Sequence, residues 1–570
     1  MRKKFLLLLA AALASASGWA TSLEVGERIE YGDLIFRVIS TSENEGEVEV
    51  VGFEVPGGED SIIIPSTLTH GDDTYTVVSI VENAFQGTGL REISIPATVK
   101  TIGKDAFAGS WAQYQSGCKI AYGGSMADWC DIDFANGDAN PLQLAYKDVT
   151  KITMKNMYEN ITFAGNHIFE ETVDNFNNRF YTFRISDDVK VIKPYAFYCI
   201  GASSIEIPGT VEEIGESAFG EIRILGFYSY SQMERVVTFE KGDKPLVLEG
   251  KPFSTSRWTN ENSGLEYPLV KEEVYYGREL SGTSGLDHLA GIVISPDVDT
   301  FGETYQDLGY LESFTVEDST EPIAFENAPL SGRNTSYDFY LGRDFTGELF
   351  VGDQFTTSQI DLTIGGNVMK ITRGQFDHFL VSELNFLNGR YALELVSTPF
   401  KQATNLSVSI DRYIDGQLGL TNINGSLSFG EHLAVIGDNL FRGCLTNPID
   451  LTIPDNVKKI KNSAFQNCTG ITSISLGSGL TEIGSNAFEG CTGITSVTIP
   501  DAVTTLGQSA FSGCTSLTTA TIGMSVDIVR NDTFNGCTAL ESVDMSDGIV
   551  TIGNNAFNGC SALKQITIPG

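Results

Sequence analysis

Six of the nine cysteines in this 570-residue chain fall on a ruler. Cys468, Cys491, Cys514, Cys537 and Cys560 stand 23 residues apart, and Cys444 precedes them by 24. Thiols offer disulfide, metal or nucleophilic chemistry. No Cys-x-x-Cys pair occurs, which argues against a zinc ribbon and against a dithiol redox centre. Residues at equal positions in successive repeats point the same way, so their sulfurs do not converge as a disulfide requires. The ladder therefore reads as buried, reduced thiols that pack as small apolar groups. Cys118, Cys130 and Cys199 stand apart from it. The five histidines, His70, His167, His288, His378 and His432, include no pair at metal-ligand spacing, and His432 reads as a surface residue of a repeat. There is no Gly-x-Ser-x-Gly elbow, phosphate loop, dinucleotide fingerprint or Asp-x-Asp-x-Asp-Gly calcium loop. With 73 aspartates and glutamates, chance carboxylate pairs are unavoidable, so spacing singles out no acid/base dyad. No catalytic residue, cofactor site or metal site is assigned, and the chain is not read as an enzyme.

The same ruler positions the core. Phe465, Phe488, Phe511, Phe534 and Phe557 also lie 23 apart, each three residues before its cysteine. A fixed period in this range signals a repeat architecture, and 23 residues are too few for a propeller blade of roughly 40. In one unit, Ile494-Thr-Ser-Val497-Thr-Ile499 alternates as a short strand. Pro500 closes it, because proline donates nothing to a ladder. Val503 and Leu506 turn inward, Gly507 bends the chain, and Ala510 and Phe511 fill the coil. One coil cannot bury its own apolar edge, whereas a stack of coils forms a continuous core.

This pattern resembles the BspA-like (Treponema-type) leucine-rich repeat. Ile471-Thr-Ser-Ile474-Ser-Leu476, followed by Glu482-Ile-Gly484-Ser-Asn-Ala-Phe488-Glu-Gly-Cys491, carries the resemblance, as do the units on either side. It is strong over residues 430–570, recognisable at 78–110 and 185–220, and loose between. The resemblance implies a mainly β leucine-rich-repeat solenoid of ~23-residue coils with a stacked parallel sheet, an N-terminal β segment as its cap, and little helix. It also implies a surface protein associated with adhesion. About twenty coils of this period, each rising roughly 4.8 Å, would give a face on the order of 100 Å long.

In chain order, residues 1–20 read as a secretory signal, with Arg2-Lys3-Lys4 ahead of an apolar run and a small-residue cleavage region. That run is too short to span a bilayer and no other stretch is long enough, so no transmembrane segment is expected. Residues 21–77 are expected to form the β-rich cap. Residues 78–225 hold repeats with an irregular insertion at 111–180, where Trp129 reads as a buried anchor. Residues 226–430 read as degenerate repeats with loops, in which Phe355, Phe376 and Phe400 lie 21 and 24 apart. Residues 431–570 are regular repeats.

Composition limits the partners. The chain is 41% hydrophobic, enough for a large core, and its net charge is −36. That charge repels nucleic acid and anionic lipid. The remaining surface of interest is the outward side of the repeat strands. Ser473, Ser475, Ser496, Thr498, Thr519, Thr521, Ser542 and Asp544, followed by Gln565 and Thr567, form columns of mostly small hydroxyls. Such residues suit any solvated strand, and they also suit a recognition face. The expected protein is secreted or held at the cell surface and binds extracellular or cell-surface proteins. Host matrix and cell–cell contacts are the first reading. A carbohydrate-binding surface is the alternative; it would need exposed aromatics such as Tyr228, Tyr230, Trp258, Tyr275 and Tyr276.

Overall fold

The structure is a computed structural model. It describes residues 22–53, 61–112, 118–146, 160–173, 179–200, 202, 204–220, 234–253, 258–259, 266–267, 271–286, 289–303, 311–326, 337–347, 349, 359–372, 375–397, 399–420, 423–564 and 566. The signal sequence expected at 1–20 and Phe355 lie outside the described residues. The chain falls into two compact units, Met1–His288 and Leu289–Gly570.

The first unit opens with antiparallel pairing. Leu34–Ser42 pairs with Arg28–Tyr31 on one side and with Glu45–Phe53 on the other. Asp73–Ile80 then joins Glu45–Phe53 in parallel. Parallel ladders follow: Ser61–Ile63, Glu92–Ile95, Lys119–Tyr122 and Ile161–Phe163 form one. Arg179–Arg184, Ser204–Ile207, Glu234–Phe239 and Lys271–Tyr276 form another. After Lys119–Tyr122 comes a short helix, Met126–Cys130, capped reciprocally by Ser125 and Asp128. Its Trp129 is fully buried, packs against Tyr122 and Phe163, and donates its indole N–H to Ala196 O at 2.7 Å. A buried indole needs such an acceptor.

In the second unit, parallel strands recur coil by coil. Leu289–Ile294, Ser313–Val316, Tyr337–Leu341, Gln359–Ile364, Phe376–Phe386, Phe400–Ile410 and Leu427–Phe429 pair in sequence order. Phe376 and Phe400 are buried and in ring contact at 5.8 Å. Beyond residue 430 the coils become regular. Strands Ser496–Ile499, Thr519–Ile522 and Ser542–Met545 pair without register shifts. The fold is thus a mainly β leucine-rich-repeat solenoid.

Two local devices make these coils. First, each phenylalanine is flanked by left-handed residues. Asn439, Ser463, Asn486, Ser509, Asp532 and Asn555 stand two residues before Phe441, Phe465, Phe488, Phe511, Phe534 and Phe557, with φ between 55° and 59°. Gly443, Asn467, Gly490, Gly513, Gly536 and Gly559 stand two residues after them, also at positive φ. Asparagine, aspartate and glycine adopt this region at low cost, and the two turns present each ring to the interior. Second, the coil backbones come very close: a Cβ on Gly507 would lie 2.3 Å from the carbonyl carbon of Gly484.

The result is a column of parallel, stacked rings from Phe441 to Phe557. Successive centroids are 5.1, 5.2, 5.2, 5.7 and 5.6 Å apart, with interplanar angles of 3–9°. Phe441 to Phe534 are fully buried, and Phe557 is half-buried. Beside them runs the cysteine ladder. The thiols of Cys468, Cys491, Cys514, Cys537 and Cys560 donate to Phe441, Phe465, Phe488, Phe511 and Phe534 carbonyls of the preceding coil, at 3.0–3.3 Å. None of the nine cysteines forms a disulfide. Burial pushes the thiols up, to about 11 at Cys468 and about 12 at Cys444 and Cys537, and well above the ordinary range at Cys491 and Cys514.

Replacing Phe511 by alanine is expected to cost about 3–5 kcal/mol, because the neighbouring rings cannot close the hole; denaturant unfolding checks this. The thiols give a second test. Without reductant, the folded protein should react slowly with a thiol reagent even at pH 9, because few thiolates form. After unfolding, all nine cysteines should label; a lower count would reveal a disulfide.

Candidate binding face

Strand alternation decides which side chains reach solvent. In Ser496–Ile499, Val497 and Ile499 are buried, whereas Ser496 and Thr498 are exposed. Parallel pairing then aligns like with like. Ser496, Thr519 and Ser542 are register partners, and so are Thr498, Thr521 and Asp544. On the neighbouring pair of strands, Asp450 faces Ser473 and Thr452 faces Ser475. All eight residues selected from the sequence are exposed on the outward side of their strands. Gln565 and Thr567 lie outside the described residues.

Hydroxyls in these coils do two different jobs. In the turns they tie one coil to the next: Thr481 Oγ1 donates to Lys458 O at 3.0 Å, Thr504 to Thr481 O at 3.4 Å, and Thr518 to Thr495 O at 2.9 Å. On the strands most are unengaged. Ser475, Ser496, Thr498, Thr519, Thr521 and Ser542 make no side-chain hydrogen bond to another described residue. Ser473 is the exception. With Thr472 it donates to Asp450 Oδ1, at 2.5 and 3.0 Å, and these bonds hold that carboxyl below its usual range.

A second surface feature was not picked out from the sequence. Asp338, Asp361 and Glu383 are register partners on three successive parallel strands of the second unit. Asp338 and Glu383 are exposed and Asp361 is half-buried. Tyr340, Thr363 and Asn385 form the adjoining column. Ser382 Oγ donates to Asp361 at 2.6 Å and Asn385 Nδ2 to Glu383 at 3.0 Å, but no cation pairs with the three carboxylates among the described residues. Other in-register carboxylates do have one. Arg184 bridges Glu206 and Glu240, Lys370 meets Glu394 at 3.0 Å, and Lys459 meets Glu482 at 2.8 Å. Like charges directly opposite on adjacent strands repel. The spacings of 23 and 22 residues were legible, but only the strand register shows that the three side chains align.

The aromatic candidates for glycan binding separate. Tyr276 is fully buried and stacks on Phe239 at 5.5 Å, because strand alternation turns it inward with Val274. It cannot serve as an exposed platform. Tyr275 faces outward, in register with Thr238, and is half-buried. Trp258 pairs with Tyr267 in a two-stranded antiparallel ladder. Tyr228 and Tyr230 lie outside the described residues. His432 sits at the surface and its ring Nδ1 lies 2.8 Å from Asp411 Oδ2; this contact raises its pKa. Among the described residues, no group of three His, Cys, Asp or Glu side chains is placed to hold a metal, and no helix is long and apolar enough to cross a membrane.

The coil geometry has a counterpart among known families. Residues 64–115, 143–238 and 434–564 match the BspA type leucine rich repeat region, in six copies. These segments, just under half of the chain, are BspA-type leucine-rich repeats. Several solved structures are similar to it. The T. pallidum leucine-rich repeat protein shares 24% identity over 34% of this chain and 83% of its own, with a TM-score of 0.25. A leucine-rich cell surface protein from Faecalibacterium prausnitzii shares 18% identity over 92% and 96%, with a TM-score of 0.22. A leucine-rich repeat protein from Bacteroides ovatus shares 18% over 94% of each chain, at 0.21. No curated protein matches the chain.

The unpaired carboxylates of this BspA-type chain make a direct prediction. Asp338→Asn relieves repulsion in the column and is expected to raise the denaturation midpoint slightly at low salt. The gain should vanish at high salt, where screening already removes the repulsion.

Proposed function

We propose that this BspA-type protein is exported, stands at the cell surface or is released from it, and acts by binding protein partners without turning them over. Host matrix proteins and the surfaces of other cells are the partners proposed. The observation that carries this reading is the set of exposed strand hydroxyls with no side-chain hydrogen bond among the described residues: Ser496, Thr498, Thr519, Thr521 and Ser542 in aligned columns, and Ser475 opposite Thr452. Each can donate and accept, and small side chains lose little rotamer freedom when a partner immobilises them. A repeated surface lets many weak contacts act together.

Charge narrows the partner. The net charge of −36 and the uncompensated column of Asp338, Asp361 and Glu383 favour lysine- or arginine-rich segments. Hydroxyl columns and carboxylates then divide the work: the carboxylates speed encounter, and the hydroxyls set the close contact.

A screen of the mature chain against matrix proteins and glycans tests the proposal. A protein partner should bind more weakly as salt rises. Changing Ser496, Thr498, Thr519 and Thr521 together to lysine should lower affinity at least about tenfold, since four cations oppose a basic partner and fill the face. Asp338→Asn with Asp361→Asn should mainly slow association. An unchanged affinity in both variants places the contact elsewhere, and hydrolysis of a glycan or peptide by the pure protein overturns the binding-only reading.

A further inference from the structure

Three arginines lie inside the irregular coils. Arg278, Arg343 and Arg412 are 4%, 0% and 2% exposed. None forms a salt bridge among the described residues. Each turns its terminal nitrogens to main-chain carbonyls instead. Arg278 donates to Pro208 O, Gly209 O and Val211 O at 2.7–3.2 Å. Arg343 donates to Ser295 O, Pro296 O and Val298 O at 2.8–3.1 Å. Arg412 donates to Gly365 O, Val368 O and Tyr391 O at 2.7–2.9 Å.

The three sites share one topology. In each, the arginine follows a strand, and it reaches the turn that follows the strand two coils earlier. Arg278 follows Lys271–Tyr276 and reaches the turn after Ser204–Ile207, with Glu234–Phe239 between them. Arg343 follows Tyr337–Leu341 and reaches the turn after Leu289–Ile294, across Ser313–Val316. Arg412 follows Phe400–Ile410 and reaches Gly365 O and Val368 O in the turn after Gln359–Ile364, across Phe376–Phe386, with its third bond to Tyr391 O of the intervening coil. The intervening coil leaves room. A Cβ on Gly242 would lie 2.7 Å from Arg278 Nη1, and one on Gly389 would lie 2.9 Å from Arg412 Cζ. In the regular stack, the corresponding contact spans one coil: Asn456 Nδ2 donates to Gly430 O and Leu433 O at 2.9 and 2.8 Å.

A solenoid repeat ordinarily contacts only its nearest neighbours, so it opens locally, one unit at a time. A buried guanidinium that spans two coils breaks that rule. Losing its contacts strands a charge and two of the three carbonyls in the interior, and neither is tolerated unpaired. The third carbonyl also accepts a turn N–H: Val211 N to Pro208 O, Val298 N to Ser295 O, and Val368 N to Gly365 O. We propose that Arg278, Arg343 and Arg412 are straps: each fastens three successive coils into one opening unit, so that the irregular coils open in blocks while the regular stack beyond residue 430 opens coil by coil.

Amide exchange on the full mature chain tests this, with Arg412→Met as the first variant. Peptides covering residues 359–372, 386–396 and 406–415 should exchange at least about tenfold faster together, whereas peptides from 470–545 should be unchanged. Asn456→Ala is the control; its effect should stop one coil back, at 427–436. Arg412→Lys keeps a charge but not the planar fork, and should speed exchange in the same three peptides to a smaller extent. If Arg412→Met does not fold, the lysine variant is read alone by the same criterion. Faster exchange confined to 406–415, or spread evenly over the chain, overturns the proposal.

Discussion

No coil of this chain can bury its own phenylalanine; only the next coil can. The rest of the structure follows from that dependence. A ring stacked on its equivalent at 5.1–5.7 Å requires the backbone to return to the same place on every turn. The left-handed residues on both sides of each phenylalanine make that return possible, and Gly507 lets adjacent backbones approach without a Cβ between them. The cysteine beside each ring is held by the same logic. Its backbone N–H closes the local turn onto the phenylalanine carbonyl of its own coil, as Cys491 N does on Phe488 O at 3.2 Å, and its thiol caps the phenylalanine carbonyl of the coil before. A disulfide would break that bonding and turn one sulfur against the column.

Where the period drifts, the interior changes its chemistry. In the irregular coils of the second unit, rings meet edge to face, as Phe314 and Phe339 do at 5.0 Å and 86°, and Phe325 and Phe345 at 5.5 Å and 75°. Both geometries suit the aromatic quadrupole, but edge-to-face pairs do not transmit a common backbone path. Turn carbonyls that the regular stack would place near a neighbour's donor are then met by arginine. A guanidinium carries five donors in a fixed fork, enough to meet three carbonyls at once.

On the outside, one residue type serves two purposes according to its place in the coil. A threonine in a turn, such as Thr504, hydrogen-bonds to the coil before it and belongs to the stack. A threonine on a strand, such as Thr521, finds its neighbours' backbone groups already paired in the ladder, and its hydroxyl is left for water or a partner. The face is therefore selected by the sheet's hydrogen bonding, without any unusual residue.

Much of this was legible in the sequence, because a strict period repeats one local solution. The spacing of Phe465 to Phe557 and of the cysteines determined the coil, its buried column and its reduced thiols. Alternation within Ser496–Ile499 determined which side chains face outward. Other features needed the tertiary structure. Tyr276 lies in a segment that reads as loop-like and aromatic, yet strand pairing with Glu234–Phe239 sends it into the core. Asp338, Asp361 and Glu383 are ordinary surface acids until register aligns them. Nothing in the sequence marks Arg343 and Arg412 as buried, since arginine rarely is. Their placement depends on carbonyls 45–48 and 44–47 residues away in the sequence. A periodic sequence states its nearest-neighbour contacts, because every repeat says the same thing. Contacts that skip a coil occur once each, so only the folded chain shows them.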